Sequence, residues 1–324
     1  MKKALWAILG LCAGGVLGWV VLRTAMWSNV LEVMGRLDWH LLVMALGAVL
    51  LAGLIEAYRW KLLLPKERVS TGSLFIVKHL GQGLNNVSPV RVVAEVVQTA
   101  MLRYGHNVRA EKVVSSLLVA RLFDLIVTMS LVGVGLIVLP QLGGVRPMVL
   151  PVWAIVGVAI VAMLALGKYM QRVRLIGRLD ALAAVVRSMG TLSYKRRKML
   201  GCTVLTVAAW MSIGVTAWLV ARAVGIDLPF WLMSIVIVAV SLFSSTTPAP
   251  PGAVGVYEAG AIFALGLFSI DPSIALTFAL VTHGLLFLPS IAIGIVGVVT
   301  ERQAMKHVWT MLRTRARCSL GLTQ

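Results

Sequence analysis

The chain has 324 residues, 59% of them hydrophobic and only 13% charged, and its 30 Lys and Arg against 12 Asp and Glu leave a net charge of +18. Soluble domains average about 45–50% apolar and about 25% charged residues, so this composition excludes a water-soluble globular enzyme and a disordered chain. The positive charge sits in short loops beside apolar runs, where it sets topology and meets anionic lipid, and this points away from nucleic acid as a partner.

Residues 5–22 form an apolar run read as a retained membrane helix, because the apolar core of a cleaved signal peptide is shorter. Residues 23–38 form a loop with an amphipathic stretch (Val30, Leu31, Met34, Leu37) expected at the membrane interface. The second span, 39–57, ends in Tyr58-Arg59-Trp60-Lys61, read as an aromatic and basic anchor at a membrane face. The run 74–102 is apolar on average, yet it holds Lys78, His79, Asn85, Asn86, Arg91 and Glu95 and is interrupted by Gly81, Gly83 and Pro89. As helices its arms, 74–90 and 92–102, measure about 25 Å and about 16 Å, short of a hydrocarbon core of about 30 Å. The pattern predicts a re-entrant hairpin.

Spans follow at 113–139, which carries Arg121 and Asp124, and at 148–167. The connector 168–198 has nine Lys or Arg and one acid, Asp180, with apolar residues at helical spacing, as in a helix lying on an anionic leaflet. A span at 199–221 leads to an apolar segment, 230–247, that is broken by Ser244-Ser245-Thr246-Thr247-Pro248-Ala249-Pro250-Pro251-Gly252. The apolar pattern resumes at 254–270 with Glu258, and a last span, 274–299, precedes the basic tail 301–324.

The predicted fold is an all-α polytopic membrane protein, a single membrane domain over 1–324. It has six full transmembrane helices plus two re-entrant hairpins, or eight plain helices with two proline kinks; loop parity does not separate these. With the N-terminus inside, the loop basic residues collect on the cytoplasmic face and the outer face keeps only Arg23, Arg36, Arg146 and Arg222. Both termini then fall in the cytoplasm of a cell inner membrane. The halves 39–139 and 199–300 become inverted copies, separated by the connector 168–198 and followed by the tail 301–324. Their hairpin tips read alike: Pro89-Val90-Arg91 then Glu95, and Pro251-Gly252-Ala253 then Glu258. Inverted halves with interrupted helices in matching places point to a transport site at the bilayer midplane.

The candidate residues cluster at these breaks. Arg121 and Asp124, three apart, share one helix face. A charge inside a span costs about 2.5–3.5 kcal/mol on insertion scales, so the two form either a functional site or an ion pair bracing the bundle, with Glu95 or a lipid phosphate as other partners for Arg121. Glu95 and Glu258 follow the breaks, where a carboxylate caps a helix, meets a cationic headgroup or carries a proton. Arg91 offers a fork of donors to phosphate or snorkels to the interface. Asn86 is placed to bond a headgroup or the freed backbone. Pro89, Pro251, Gly252 and Gly255 are the structural tip residues. His79 and His283 are read as satisfied packing residues, with proton relay as the alternative. No His or Cys spacing suggests a metal site, and no cofactor or catalytic residue is expected.

In these residues the chain resembles the membrane domain of lysylphosphatidylglycerol synthase and related stand-alone membrane proteins, the flippase-like family. The pattern is an Asn, then Pro-x-Arg-x-Gly-Glu, an Arg-x-x-Asp within a helix, and a later Pro-x-Gly-x-Gly-x-x-Glu. The matching segments are Asn85-Asn86-Val87-Ser88-Pro89-Val90-Arg91-Val92-Val93-Ala94-Glu95, Arg121-Leu122-Phe123-Asp124 and Pro250-Pro251-Gly252-Ala253-Val254-Gly255-Val256-Tyr257-Glu258. The resemblance runs from about residue 39 to residue 300. Ala94 departs from the usual Gly, an extra residue separates Arg91 from it, Gln98 stands where a basic residue is common, and Thr282-His283 falls where the last helix often carries Arg. With 24 residues after Thr300, the family's aminoacyl-transferase domain is expected to be absent. The resemblance therefore implies lipid translocation, not aminoacyl transfer.

The reading is a lipid flippase or transporter, not an enzyme, whose substrate is a phospholipid or another phosphate-bearing amphiphile, with anionic membrane lipid as its partner. Its alternative is a non-catalytic membrane partner of an envelope-lipid or glycolipid synthesis enzyme, docked through the basic connector. A homo-oligomer is left open.

Overall fold

The computed structural model describes residues 26–64, 67–88, 93–140, 196–247 and 250–302, with isolated positions in 15–23 and 143–158. The readings made for 5–22, 148–167, the connector 168–198 and the tail 301–324 lie almost wholly outside the described residues, as do Pro89 and Arg91.

Among the described residues the regular elements are helical. They are α1 (Trp27–Gly35), α2 (Trp39–Leu63), α3 (Thr71–Val87), α4 (Val93–His106), α5 (Ala110–Val138), α6 (Arg196–Ala223), α7 (Phe230–Thr246), α8 (Val256–Gly266) and α9 (Pro272–Thr300), with a 3-10 turn at Pro251–Ala253. Local chemistry starts several of them. The Asp38 carboxylate accepts the His40 N–H at 2.9 Å ahead of α2. The Ser70 hydroxyl accepts the Ser73 N–H at 3.0 Å ahead of α3. Asp271 accepts the Ser273 N–H at 2.8 Å, with Pro272 in the first position of α9, where a missing N–H costs nothing.

Among the described residues four helices are long and apolar enough to cross a membrane: Trp39–Leu63, Ala110–Val138, Arg197–Ala223 and Pro272–Thr300. By contrast α3, α4, α7 and α8 have 17, 14, 17 and 11 residues, or about 25, 21, 25 and 16 Å. Each of the two broken segments thus becomes a pair of short helices whose arms pack on one another, α3 on α4 and α7 on α8.

Two apolar clusters mark the ends of the bundle. One joins Trp60 at the end of α2 with Leu74 and Val77 at the start of α3, Met101 and Leu102 at the end of α4, and Val113 at the start of α5. The other joins Leu219 in α6, Met233 in α7, Leu265 in α8 and Phe278 in α9. The Lys112–Glu67 ion pair (2.5 Å) and the close approach of His106 to Glu301 (3.3 Å) lie at the first end. The free ends of the α3–α4 pair and of the α7–α8 pair are therefore at opposite ends of the molecule. The predicted amphipathic stretch contains α1, which buries Val30 and packs Val33 on the second cluster, joined there by Leu37 just beyond the helix.

The strongest packing runs between α2 and α6 and between α3 and α9. Small residues permit the latter: a Cβ at Gly83 would stand 2.8 Å from the Ser290 carbonyl oxygen, and one at Gly294 would stand 3.3 Å from the Leu80 Cα. Backbone cannot yield as a side-chain end can. Gly83→Ala is therefore expected to destabilise the folded protein by about 1–3 kcal/mol, read as a lowered unfolding midpoint in detergent. Gly47→Ala, with nothing within 4 Å, is the neutral control.

The expected anchor segment is partly a packing element. Helix α2 runs on through Tyr58-Arg59-Trp60-Lys61 to Leu63, with Tyr58 and Lys61 exposed. Arg59 and Trp60 are each only 5% exposed, and the Trp60 indole N–H donates to the Ser116 hydroxyl at 2.9 Å. A buried guanidinium is tolerated there because a carboxylate and a hydroxyl on two other helices meet it.

Candidate functional site

Three groups of acid–base partners lie along the broken helices and the spans that flank them. The first centres on Arg59. Its Nη1 and Nη2 donate to Asp124 Oδ1 and Oδ2 at 2.6 and 3.0 Å, and Nη1 also donates to Thr206 Oγ1 at 2.7 Å. This two-pronged fork ties α2, α5 and α6 together and is the strong form of a charged hydrogen bond. One turn before Arg59, Glu56 pairs with Lys78 of α3. The Lys78 carbonyl in turn accepts the Gln98 amide of α4 at 3.3 Å.

The Asp124 geometry corrects the predicted pairing. Arg121 and Asp124 do share a stretch of α5, but they serve different partners. Asp124 is held by Arg59, the bracing alternative read from the sequence but with a partner on another helix. Arg121 reaches instead across to Glu95 of α4, its Nη2 donating to Oε1 at 3.1 Å. Helical spacing aligns two residues of one helix; it does not say which neighbouring helix each side chain meets.

The third pair is Glu258 with His283, Oε1 to Nδ1 at 2.7 Å, between α8 and α9. The other carboxylate oxygen of Glu258 accepts the Gly255 N–H at 2.6 Å. Glu258 is thus a helix cap, one of the alternatives read from the sequence, and is also hydrogen-bonded to His283. The Tyr257 ring lies 4.5 Å from the His283 ring, centroid to centroid, and the Tyr257 hydroxyl is buried with no hydrogen-bond partner.

The second and third pairs hold matching places. Glu95 and Glu258 are each the third residue of the second short helix, α4 or α8. Arg121 and His283 are each the twelfth residue of the 29-residue helix that follows, α5 or α9. That places both bases about 17 Å along helices about 43 Å long. The pairs differ in access. The Arg121 and Glu95 side chains are 72% and 36% exposed, whereas those of His283 and Glu258 are 15% and 6% exposed.

The tips of the broken segments touch. Gly252, in the turn that starts at Pro251, has φ +69°, and a Cβ there would meet Phe287 Cε2 at 2.8 Å and the Asn86 carbonyl oxygen at 3.3 Å. Gly255, at φ +84°, turns the chain into α8. Asn86 lies in the last turn of α3 and is half-buried, and the neighbouring Asn85 Oδ1 is buried without a partner. His79 hydrogen-bonds the Phe75 carbonyl at 2.8 Å and stacks on that ring, as a packing residue should.

Glu95, Arg121, Glu258 and the tip residues Pro251, Gly252 and Gly255 are thus all placed by the broken segments and the spans after them. Sequence reasoning missed Arg59, the Glu56–Lys78 pair and His283 as a carboxylate partner. The available signal was charge within apolar runs: Glu56 and Arg59 lie inside α2, and His283 lies inside α9. Among the described residues no group of three or more His, Cys, Asp or Glu is placed to hold a metal ion.

The family model of the lysylphosphatidylglycerol synthase TM region matches residues 7–294. No curated protein matches the chain.

Proposed function

The chain belongs to the lysylphosphatidylglycerol synthase TM-region family of multi-pass membrane proteins, and from that premise we propose that it moves a phosphate-bearing lipid between leaflets without changing it covalently. The observation that carries this reading is Arg121. It stands mid-way along an apolar spanning helix, its side chain is 72% exposed, and its hydrogen bond is to Glu95 alone among the contacts described. A guanidinium bare to acyl chains costs several kcal/mol, so in this reading a polar partner, the lipid headgroup with its water, meets it there. A fork with donors to spare suits a phosphate, and the Glu95 carboxylate holds it in place.

The rest of the arrangement supports transport. The paired short helices come from opposite ends of the bundle, their tips meet at Gly252 and Asn86, and their acidic residues occupy matching positions. That is the pattern of an inverted repeat whose halves rock about a midplane site. In this reading the two pairs are re-entrant, both termini are cytoplasmic and the membrane is the inner one. Arg91, implied by the resemblance, and Asn86 join Arg121 at the headgroup, while the acyl or prenyl tail stays in the bilayer.

The test is reconstitution of the full chain in liposomes with fluorescent anionic, zwitterionic and polyprenyl-phosphate lipids. Wild type is expected to move at least one class faster than empty liposomes do. Arg121→Ala is expected to slow that movement about ten- to hundredfold, the equivalent of about 1.5–3 kcal/mol for hydrogen bonds to a charged group. Arg121→Lys keeps the charge but loses the fork and falls between. Movement unchanged in folded Arg121→Ala refutes the phosphate role.

A further inference from the structure

The two matching acid–base pairs differ in one chemical property. Arginine keeps its proton at any accessible pH, whereas an imidazole exchanges one near neutrality. The exposed pair, Glu95–Arg121, is therefore permanently charged, and the enclosed pair, Glu258–His283, is not. We propose that Glu258–His283 is a proton-binding site, and that loading and unloading one proton there couples a transmembrane proton gradient to the motion of the two tips. The coupling rests on the lipid-transport reading above; the proton site does not.

The geometry links the site to the tips directly. With the proton bound, Nδ1–H of His283 donates to Glu258 Oε1 at 2.7 Å, the pair is neutral overall, and Glu258 Oε2 keeps the Gly255 N–H. Loss of the proton from the ring to water leaves a neutral imidazole beside an enclosed carboxylate, so the site passes from neutral to a net charge of −1. Only an N–H bond is made or broken in the cycle, with one proton taken up and one released. A lone carboxylate in a dry site favours any rearrangement that lets water reach it. Phe287, one turn beyond His283, carries that rearrangement outward. Its ring meets the His283 ring edge-on, at 5.9 Å between centroids, and its Cε2 lies against Gly252, which in turn abuts the Asn86 carbonyl. A shift at His283 is thus felt where the α3 tip and the Gly252 turn touch.

On the helices packed against α9, the charged groups with described side-chain partners are engaged elsewhere, while His40 and Lys61 of α2 and Arg197 of α6 are exposed and Lys198 lies in the first turn of α6. On α8 the neighbour is Tyr257, stacked on the imidazole. On α3, Lys78 pairs with Glu56 of α2, and His79 bonds the Phe75 carbonyl. On α2, Arg59 is held by Asp124 and Asp38 caps the helix. On α1, Glu32 pairs with Arg36, and at the end of α6, Arg222 pairs with Asp227. On α9 itself, Asp271 caps the start and Glu301 at the far end closely approaches His106. His283 is the base these groups leave to Glu258.

The experiment has two readouts on the full chain. The first is nitrogen NMR of histidine-labelled protein in detergent, with His283 assigned by its absence in His283→Gln. A His283 signal that reports gain and loss of a ring proton and moves in Glu258→Gln supports the site; a signal in folded protein that shows neither overturns it. The second is the ratio of lipid-movement rates with and without a proton gradient across the vesicle. Wild type is expected to respond by up to about tenfold per pH unit, the equivalent of about 1.4 kcal/mol. In His283→Arg, which gives this half the permanent charge of the other, and in His283→Gln, the ratio is expected to fall to about one. An unchanged ratio in both overturns the coupling. If wild type moves none of the lipids tested while His283 titrates, the transport reading falls and the proton site stands.

Discussion

Removing either member of the Arg59–Asp124 pair is expected to destabilise the protein by about 3–5 kcal/mol, because the survivor becomes an uncompensated buried charge. Arg59 is 5% exposed and makes hydrogen bonds of 2.6, 2.7 and 3.0 Å to groups on α5 and α6. Arg59→Ala strands the Asp124 carboxylate, and Asp124→Ala strands the guanidinium with Thr206 as its remaining partner. Arg59→Lys retains charge without the fork and is expected to recover only part of the loss. The double variant Arg59→Met/Asp124→Leu removes both charges at similar volume and is expected to be far more stable than the sum of the single losses implies. Unfolding in mixed micelles, followed by helical circular dichroism, measures all four. A single-variant loss within about 0.5 kcal/mol, the range of ordinary surface substitutions, refutes the brace.

Gly252→Ala is the second large effect, and it acts where the tips meet. A left-handed backbone costs a residue with a Cβ roughly 1–2 kcal/mol, and Gly252 has φ +69°. The new methyl would also press on Phe287 Cε2 at 2.8 Å and on the Asn86 carbonyl oxygen at 3.3 Å. The aromatic ring can give, but the carbonyl belongs to the last turn of α3. Strain and overpacking together are expected to total about 2–5 kcal/mol. Gly284→Ala, on α9 with nothing within 4 Å, is expected to be neutral or slightly stabilising, since Ala is the better helix former. The same unfolding measurement compares the two. Equal midpoints for Gly252→Ala and Gly284→Ala refute the contact between the tips.

Much of the scaffold was legible because it follows from local chemistry. The spans at 39–57, 113–139, 199–221 and 274–299 correspond to α2, α5, α6 and α9, each extended by two or more residues. Two of the extensions have causes: Asp271 caps the start of α9, and pairing with Asp124 lets the buried Arg59 stay within α2. The breaks after Val87 and Thr246 fall where Pro89 and the Pro248–Pro251 cluster interrupt helical hydrogen bonding. Gly252 and Gly255 were legible as turn residues, since a residue without Cβ is the cheap occupant of positive φ.

The partners of the charges were legible only in part. The pattern Arg121-Leu122-Phe123-Asp124 suggested a pair on one helix, with Glu95 as another partner for Arg121; Arg121 meets Glu95, while Asp124 meets Arg59, 65 residues away, a pairing for which the sequence carried no signal. Tyr58-Arg59-Trp60-Lys61 read as an interfacial anchor because aromatic and basic residues gather at membrane faces, and nothing local marks Arg59 as buried. His283 read as packing for the same reason. The sequence by itself determined the helical membrane architecture, the places where helices break and the acidic residue after each break, because hydrophobic periodicity and proline act within a few residues. Only the tertiary structure decided which charges meet, which pair is open and which is enclosed, because those depend on helix neighbours that the 3.6-residue period does not specify.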